Sequence, residues 1–288
     1  MLSGYILAAS CIFVWGITFV CTKSLLQDFS ALEILFYRFT IAYLGLWAIH
    51  PKWEKIARKD NLLYALAGLS GVVLYQFSEN VALSFTTASN VSVIVSICPL
   101  FTAILSQIIL KEKHITAWFM LGFIFCICGI TLVSLNGQTS ISFNPKGDLL
   151  ALGSAICWSF YSLLVSQINK KNYDSLCSTR RTFFFAVIFM IPLLLIGRKT
   201  GQVDFAAQVM KARISNPMNW FNILFLGLLA SGFCFWAWSK ACSIIGTVKA
   251  TSGLYMIPVV TIIFAFIFLG EKITAMGAAG AVITITGL

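Results

Sequence analysis

Two charged side chains occur inside long apolar stretches of this sequence, where a charge is costly unless it is paired or faces water. Arg38 lies about seven residues into one stretch. Glu79 lies in the next, and with Tyr75, Gln76 and Asn80 it forms two adjacent i, i+4 pairs on one helix face. Because burial and a nearby arginine shift a carboxyl pKa in opposite directions, such a carboxyl group can bind and release a proton. The pattern predicts a polar substrate-binding stripe, with Glu79 as the candidate for proton coupling.

Arg38 is interpreted as a cavity cation that binds a substrate carboxylate or phosphate. The alternatives are a structural ion pair with Glu33 or Glu79, or a side chain that reaches the outer membrane surface. For Glu79 itself the alternative is an ion pair at that surface. Arg181 lies near the start of a later apolar stretch, beside Arg180, and is predicted to be a surface anchor or gate.

Aromatic residues that carry a polar edge also lie within the apolar stretches. Aromatic faces combined with a few hydrogen-bonding groups suit an organic solute that has an aliphatic or aromatic part. The candidates to line a binding cavity are Trp15, Tyr75, Trp158, Tyr161, Trp238 and Tyr255. The alternative for each of them is packing within the protein core.

Hydroxyl residues share a helix face with a proline in the fourth apolar stretch. Ser89, Ser92, Ser96 and Pro99 follow one another at intervals of three, four and three residues, a pattern typical of close helix contact in membranes. Ser96 is the candidate among them for a substrate contact. A proline within a membrane helix frees a backbone carbonyl, which is tolerated only against protein or a wet cavity. We therefore predict that Pro99, and Pro258 in a later stretch, act as hinges.

The sequence argues against an enzyme. Gly68-Leu69-Ser70-Gly71 matches the Gly-x-Ser-Gly of rhomboid-type intramembrane proteases, but a serine nucleophile needs a nearby base. The two histidines, His50 and His114, lie at the ends of apolar stretches, whereas Ser70 lies inside one. The nine cysteines are scattered and form no Cys/His cluster in the sequence. We therefore expect no disulfide framework, metal site or cofactor.

The elements that must position these residues are membrane helices. Hydrophobic residues make up 59% of the chain and charged residues 10%, and the mean hydropathy is +0.91. Since backbone groups in hydrocarbon must be satisfied within their own segment, each apolar stretch is predicted to be a helix. The predicted helices span residues 4–24, 31–50, 61–83, 88–110, 115–135, 147–168, 176–197, 218–239, 248–269 and 273–288. The net charge of +10 is concentrated between these stretches, which is typical of membrane-surface loops and not of a nucleic-acid interface.

The ten predicted helices form two copies of a five-helix unit. Residues 99–113 and 258–272 are identical at seven of fifteen positions. Because five is odd, the two units, residues 1–137 and 138–288, must cross the membrane in opposite directions, which gives an inverted repeat. With the N-terminus in the cytoplasm, twelve lysines and arginines fall on or near the inner side and seven on the outer side. This excess predicts a cytoplasmic N-terminus.

The doubled pattern resembles that of the drug/metabolite transporter superfamily, in its EamA-type ten-helix branch. A tryptophan lies near the middle of helices one and six, an arginine early in helices two and seven, and a proline with a terminal Glu-Lys pair in helices four and nine. In that order the residues are Trp15 and Trp158, Arg38 and Arg181, Pro99 and Pro258, and Glu112 and Glu271. The resemblance implies a bundle around a central cavity and the transport of small metabolites, often outward.

The sequence thus predicts an all-α membrane protein whose inverted five-helix repeats surround a central cavity. The expected activity is secondary active transport by alternating access at a midplane site. The first expected cargo is a small amphipathic metabolite, an amino acid or derivative, exported or exchanged, with protons as the candidate coupling ion. Drugs, nucleotides and sugars are alternative cargoes, and a membrane-embedded enzyme and a channel are alternative classes. The expected setting is a bacterial inner membrane, as a monomer or weak dimer, with solute and lipid but no nucleic acid as partners.

Overall fold

A computed structural model describes residues 1–135, 144–204, 206–269 and 273–288, which form helices joined by short connections. We number the long apolar helices of this described part α1 to α10. They are α1 (Leu2–Leu25), α2 (Ala31–Ile49), α3 (Arg58–Phe85), α4 (Ala88–Val95, Cys98–Leu105 and Ser106–Leu110), α5 (Ala117–Leu135), α6 (Pro145–Asn169), α7 (Ser175–Lys199), α8 (Pro217–Ile245), α9 (Thr247–Ser252, Gly253–Met256 and Ile257–Leu269) and α10 (Ala275–Gly287). A short connecting helix, Ala207–Ser215, lies between α7 and α8 and was not expected. The prediction of an all-α, ten-helix membrane fold is confirmed.

The largest difference from the predicted boundaries is at the end of α8. This helix continues past residue 239 to Ile245 and ends at Gly246, whose φ of 89° few other residues adopt. A lysine ends the apolar stretch in the sequence, but the helix continues through it. Its last turns lie at the membrane surface, where a lysine side chain reaches water. Glu271 and Lys272, which close the second copy of the repeated motif, lie outside the described residues.

Side-chain caps explain where several helices begin. Ser30 and Glu33 form a capping box at the start of α2, in which the Ser30 backbone N–H donates to Glu33 Oε2 at 2.8 Å. Asn144 and Asp174 accept hydrogen bonds from backbone N–H groups in the first turns of α6 and α7. Each cap satisfies a backbone donor that an apolar helix cannot satisfy itself, so these helices begin at polar residues visible in the sequence.

Two pairs of equivalent helices, α5 with α10 and α4 with α9, pack against each other in antiparallel directions. In α5 and α10, Gly122 lies against Gly287 and Gly129 lies against Gly280. A Cβ atom added at any of these four positions would come within 2.8 Å of the facing helix, so only glycine permits this approach. The first segment of α4 likewise contacts the last segment of α9, and the middle segment of α4 contacts the first segment of α9. This pairing is the arrangement expected of an inverted repeat, although the predicted boundary after residue 137 lies outside the described residues.

The two helices that carry the predicted hinges are interrupted just before the proline. In α4 the helix breaks at Ser96 and Ile97, so Pro99 lies in the first turn of the next segment. In α9 a tighter 3₁₀ segment, Gly253–Met256, precedes the segment that contains Pro258. Proline is tolerated in a first turn because its missing N–H would have no partner there. Each proline therefore follows a change of helix geometry, which is where a hinge would bend.

Helices α3 and α8 share another irregularity at equivalent positions. Residues Gly68–Leu74 and Phe225–Phe233 form π-helical turns, with wider i→i+5 hydrogen bonding. Such turns are rare and frequently lie at functional sites. The α3 turn ends shortly before Glu79, and the α8 turn contains Ser231. Since the α3 turn packs against α6 and the α8 turn against α1, one face of each irregular stretch lies between the two halves, while Leu74 and Leu228 are exposed.

Candidate substrate-binding site

A cavity lies between α1, α2, α3, α4, α6 and α9. The predicted site residues that line it are Trp15, Arg38, Tyr75, Gln76, Glu79, Ser96 and Trp158. Its free volume is about 20 Å³, which is room for about one water molecule. The cavity is therefore central, lined by both aromatic and polar side chains, and too small in this state to hold an amino acid.

Arg38 is buried inside the bundle, with 2% of its surface exposed. Its Nε donates to Ser231 Oγ at 2.5 Å and its Nη1 to Gln76 Oε1 at 2.7 Å. Both acceptors are neutral, and no carboxylate among the described residues forms an ion pair with the guanidinium. The alternative of a pair with Glu33 is wrong, because Glu33 Oε1 binds Arg213 Nη1 at 2.9 Å. The Arg38 side chain does not reach the outer surface.

Glu79 is also buried, with 4% of its surface exposed. Tyr75 lines the same cavity one helical turn away, while Glu79 Oε2 has no hydrogen-bond partner in the described part of the chain. The alternative of a surface ion pair is wrong, since Glu79 is enclosed and forms no ion pair with a described residue. An unpaired buried carboxylate costs several kcal/mol. This position therefore favours either a bound proton or a cationic group of a ligand.

Aromatic side chains form the cavity wall between α1 and α6. The rings of Trp15 and Trp158 meet edge to face, with centroids 5.2 Å apart and planes at 87°. The Tyr75 ring lies 4.8 Å from that of Trp158. Trp15 Nε1 donates to the carbonyl of Ala230 at 3.0 Å, whereas Trp158 Nε1 has no hydrogen-bond partner among the described residues. The two repeat-equivalent tryptophans therefore differ, and Trp158 retains a free donor.

Two predicted aromatic residues form a second layer behind this wall. Trp238 packs against Trp15 with ring centroids 5.0 Å apart, and Tyr161 packs against Trp158 at 5.1 Å. Both are buried, and neither lines the cavity. Their placement supports the packing alternative: they fix the orientation of the tryptophans that the cavity exposes.

Two further predicted residues face away from the cavity. Asn80 Nδ2 donates to the carbonyl of Ala31 at 3.2 Å, because one step along a helix turns a side chain by about 100° from Glu79. Tyr255 packs in a separate apolar cluster that contains Cys126, while its neighbour Leu254 lines the cavity. In this structure Asn80 joins α3 to α2 and Tyr255 packs between α9 and α5, and a substrate contact for either residue stays a prediction.

Arg181 lies at the end of the bundle where α7 begins. Its Nε and Nη2 donate to Asn61 Oδ1 at 3.1 and 2.9 Å. The contact ties the start of α7 to the start of α3 and lies outside the cavity lining. A role for Arg181 as an anchor or gate stays a prediction.

Two buried residues that complete this region carry no distinctive signal in the sequence. Ser231 accepts a hydrogen bond from Arg38 across 193 positions of sequence. Phe235 lies at the centre of the aromatic cluster, with five other ring centroids within 6.2 Å. Serine and phenylalanine are common in membrane helices, so their types alone do not reveal these contacts.

Comparisons with known proteins agree with this architecture. The family model described as the EamA-like transporter family matches the chain twice, over residues 2–135 and 145–288. An uncharacterized transporter of Archaeoglobus fulgidus is 28% identical, over 99% of this chain and 95% of its own length. A probable terminal-alkyne amino-acid exporter of Streptantibioticus cattleyicolor is 24% identical, over 95% of this chain and 88% of its own. A solved crystal structure matches with a TM-score of 0.72 at 16% identity, over 100% of this chain and 95% of that one, which shows a shared fold.

The ten-helix bundle, with its buried charges beside an aromatic cavity, defines a multi-pass membrane transporter. Both halves of the chain match one family model, as the internal repeat requires. The chain belongs to the EamA-like transporter family, within the drug/metabolite transporter superfamily.

Proposed function

We propose that this transporter is a secondary active exporter or exchanger of amino acids or their derivatives, working by alternating access at the cavity between the repeats. One observation carries the proposal: Arg38 and Glu79 line the same cavity as opposite charges and do not form an ion pair with each other. A zwitterion supplies a carboxylate for the guanidinium and an ammonium group for the carboxylate. Such a solute would satisfy both buried charges at once.

The aromatic wall suits the remainder of such a solute. The rings of Trp15, Tyr75 and Trp158 offer apolar faces beside the charged groups. This combination favours an amphipathic molecule over a sugar, which lacks both charges, or a nucleotide, whose phosphates would find an unfavourable carboxylate. The similarity to a protein named as an amino-acid exporter supports the same cargo.

The contracted cavity supports alternating access. A cavity with room for about one water molecule is too small for an amino acid. The helices around the site must therefore separate for the solute to enter and leave. The interruptions before Pro99 and Pro258 give α4 and α9 places to bend. The glycine contacts between α5 and α10 hold one edge of the bundle together during that motion.

We place the protein in a bacterial inner membrane as a monomer or weak dimer, with its N-terminus in the cytoplasm. The excess of lysine and arginine in the loops supports this orientation. Because one chain carries both halves of the predicted repeat, a second copy is not needed to enclose the cavity.

The test is reconstitution of the purified protein into sealed liposomes preloaded with unlabelled amino acids. We expect saturable uptake of labelled amino acid that internal amino acid accelerates, and strongly reduced uptake for Arg38→Met. Arg198→Met, at the exposed end of α7, is the matched control and keeps normal uptake. Flux that neither saturates nor responds to internal solute would indicate a channel, and recovery of a chemically altered solute would indicate an enzyme. Uptake of sugars, nucleotides or cationic dyes, with no uptake of amino acids, would show that amino acids are not the cargo.

A further inference from the structure

Three metal-ligating side chains that are distant in sequence come together where α2 ends and α7 begins. His50 follows the last residue of α2, Asp174 caps α7, and Cys177 lies in the first turn of α7. One ligand atom of each residue lies within 4.8 Å of the other two. His50 and Cys177 are 127 positions apart in the chain, so the expectation of no Cys/His cluster, which rests on sequence spacing, does not apply to the folded chain.

The His50 ring has an enclosed nitrogen that no neighbouring group binds. Its Nε2 is enclosed by protein and has no hydrogen-bond partner among the described residues. The nearest carboxylate oxygen, Asp174 Oδ1, lies 3.6 Å away, too far for a good hydrogen bond. A neutral imidazole presents a lone pair at one ring nitrogen, which is the form that binds a metal ion. The unpartnered nitrogen lies beside a carboxylate and a thiol, which are the other two ligand types.

The groups around the cluster are those expected of an outer ligand shell. Arg180 Nη2 lies 3.6 Å from Cys177 Sγ and donates toward it. The Cys177 thiol in turn donates to the Lys52 carbonyl at 3.5 Å, a weak hydrogen bond that a metal–sulfur bond would replace. Glu54 Oε2 accepts the backbone N–H of Asp174 at 2.9 Å, which holds a second carboxylate next to the cluster. The positive charges of Arg180 and a divalent ion balance the negative charges of Cys177, Asp174 and Glu54.

We propose that His50, Asp174 and Cys177 form a binding site for a divalent transition-metal ion, with Zn²⁺ the best match. Zinc accepts imidazole nitrogen, thiolate sulfur and carboxylate oxygen together, whereas Mg²⁺ and Ca²⁺ take oxygen ligands. Three protein ligands leave a fourth position for water. The site lies away from the central cavity and joins α2 to α7, and it does not depend on the proposed transport activity.

The test is Co²⁺ titration of the chelator-treated, reduced full-length protein in detergent. We expect one Co²⁺ per chain and a thiolate-to-cobalt charge-transfer absorption, which Zn²⁺ removes by displacement. Cys177→Ser abolishes the absorption. His50→Gln weakens Co²⁺ binding at least tenfold and leaves the thiol and the helix cap intact. The matched controls are Cys128→Ser, an exposed cysteine elsewhere, and His114→Gln, the other histidine, and both keep the signal.

Size-exclusion profiles would establish that each variant is folded, and thermal unfolding gives an independent readout. Zn²⁺ raises the melting temperature of the wild-type protein and of both controls, but not that of Cys177→Ser or His50→Gln. Absence of the absorption in the wild-type protein would overturn the proposal. Equal absorption in a folded Cys177→Ser or unchanged affinity in a folded His50→Gln would also overturn it, because another set of ligands would then hold the metal.

Discussion

Two arginines of the described chain are buried, and the groups that accept their hydrogen bonds differ in kind. In the central cavity, Arg38 donates to the side chains of Ser231 and Gln76. At the junction of α2 and α7, Arg180 donates to the backbone carbonyls of His50 and Lys52. One arginine is held by side chains that rotate about single bonds. The other is held by main chain that moves only with its loop.

The difference supports the proposal that Arg38 binds the solute, whereas the contacts of Arg180 are structural. The Arg180 guanidinium also lies 3.6 Å from the ring centroid of Trp47, an additional cation–π contact. Its backbone and aromatic partners belong to the end of α2 and the loop that follows it, and its one side-chain acceptor is Cys177, in the first turn of its own helix. Arg38 faces a cavity that holds an opposite charge, Glu79, to which it is not bonded. Neutral side-chain acceptors are easily exchanged for a ligand carboxylate, whereas two carbonyls and an aromatic ring fasten one helix to a loop.

The largest effect is expected on stability, from Arg180→Met. This change removes the charge-assisted hydrogen bonds to the carbonyls of His50 and Lys52 and the contact with Trp47. We expect a loss of about 3 kcal/mol in unfolding free energy, with substrate affinity unchanged in the folded fraction. Denaturant unfolding in detergent and a solute-binding measurement check both parts. Full stability combined with lost transport would reverse the distinction between the two arginines.

Arg38→Met should have the opposite effect to Arg180→Met, with reduced transport and no loss of stability. Transport should fall about 30-fold, because the loss of one hydrogen bond between a charged group and a ligand costs about 2 kcal/mol. Stability should be unchanged or higher, since an apolar side chain of similar length removes the cost of burying a charge. Arg38→Lys should also transport poorly, because lysine lacks the planar two-pronged geometry of arginine. Normal liposome uptake by either variant would exclude a substrate contact for this residue.

Glu79→Gln tests the other charge of the cavity. The amide keeps the shape of the side chain but cannot bind and release a proton, so transport should lose its dependence on pH while its rate changes by about tenfold or less. The matched control is Glu33→Gln, since Glu33 is equally buried but binds Arg213 outside the cavity. That control should retain the wild-type pH profile. Uptake measured across a pH series in both variants tests the role of Glu79 in proton coupling. An unchanged pH profile in Glu79→Gln would contradict that role.

The smallest effect is expected from an exposed contact at the end of α4. A hydrogen bond with His114, 3.0 Å from Glu112 Oε2, lowers the pKa of the Glu112 carboxyl, and Ser106 adds to the effect. Because this pKa is lower in the folded protein, the contact stabilises the protein at pH values above the ordinary carboxyl pKa of about 4.3. The stabilisation is lost as the pH falls below that value. Since the carboxylate is 44% exposed, we expect Glu112→Gln to cost less than about 1 kcal/mol at neutral pH. Unfolding at neutral and acidic pH would show the difference disappear, and a larger cost that persists in acid would contradict this explanation.

The helices and the main site residues were predictable because the membrane restricts what a sequence can do. An apolar stretch that crosses a bilayer must be helical, and a charge within it must face the protein interior. These two rules favoured an interior position for Arg38 and Glu79, and the structure excluded the surface alternatives. The internal repeat adds Trp15 and Trp158, whose equivalent positions bring them into contact between the halves.

The neighbours of these residues were not predictable from the same rules. Asn80 and Tyr255 have the residue types expected of a binding site, yet the rotation of each helix directs them to other contacts. Ser231 has an unremarkable type but meets Arg38 because α8 crosses α2 at that point. A difference of one residue turns a helical side chain by about 100°, so the lining depends on helix rotations that no local pattern specifies.

The sequence by itself determined the number of helices and the doubled unit, because the first follows from local hydrophobicity and the second from the internal repeat. The tertiary structure alone decided which groups bind the two buried charges, how far the cavity is contracted, and that His50 meets Cys177. Those contacts join segments more than a hundred residues apart or depend on how helices rotate and cross. Packing between helices depends on the whole bundle, so these contacts can be determined only from the folded structure.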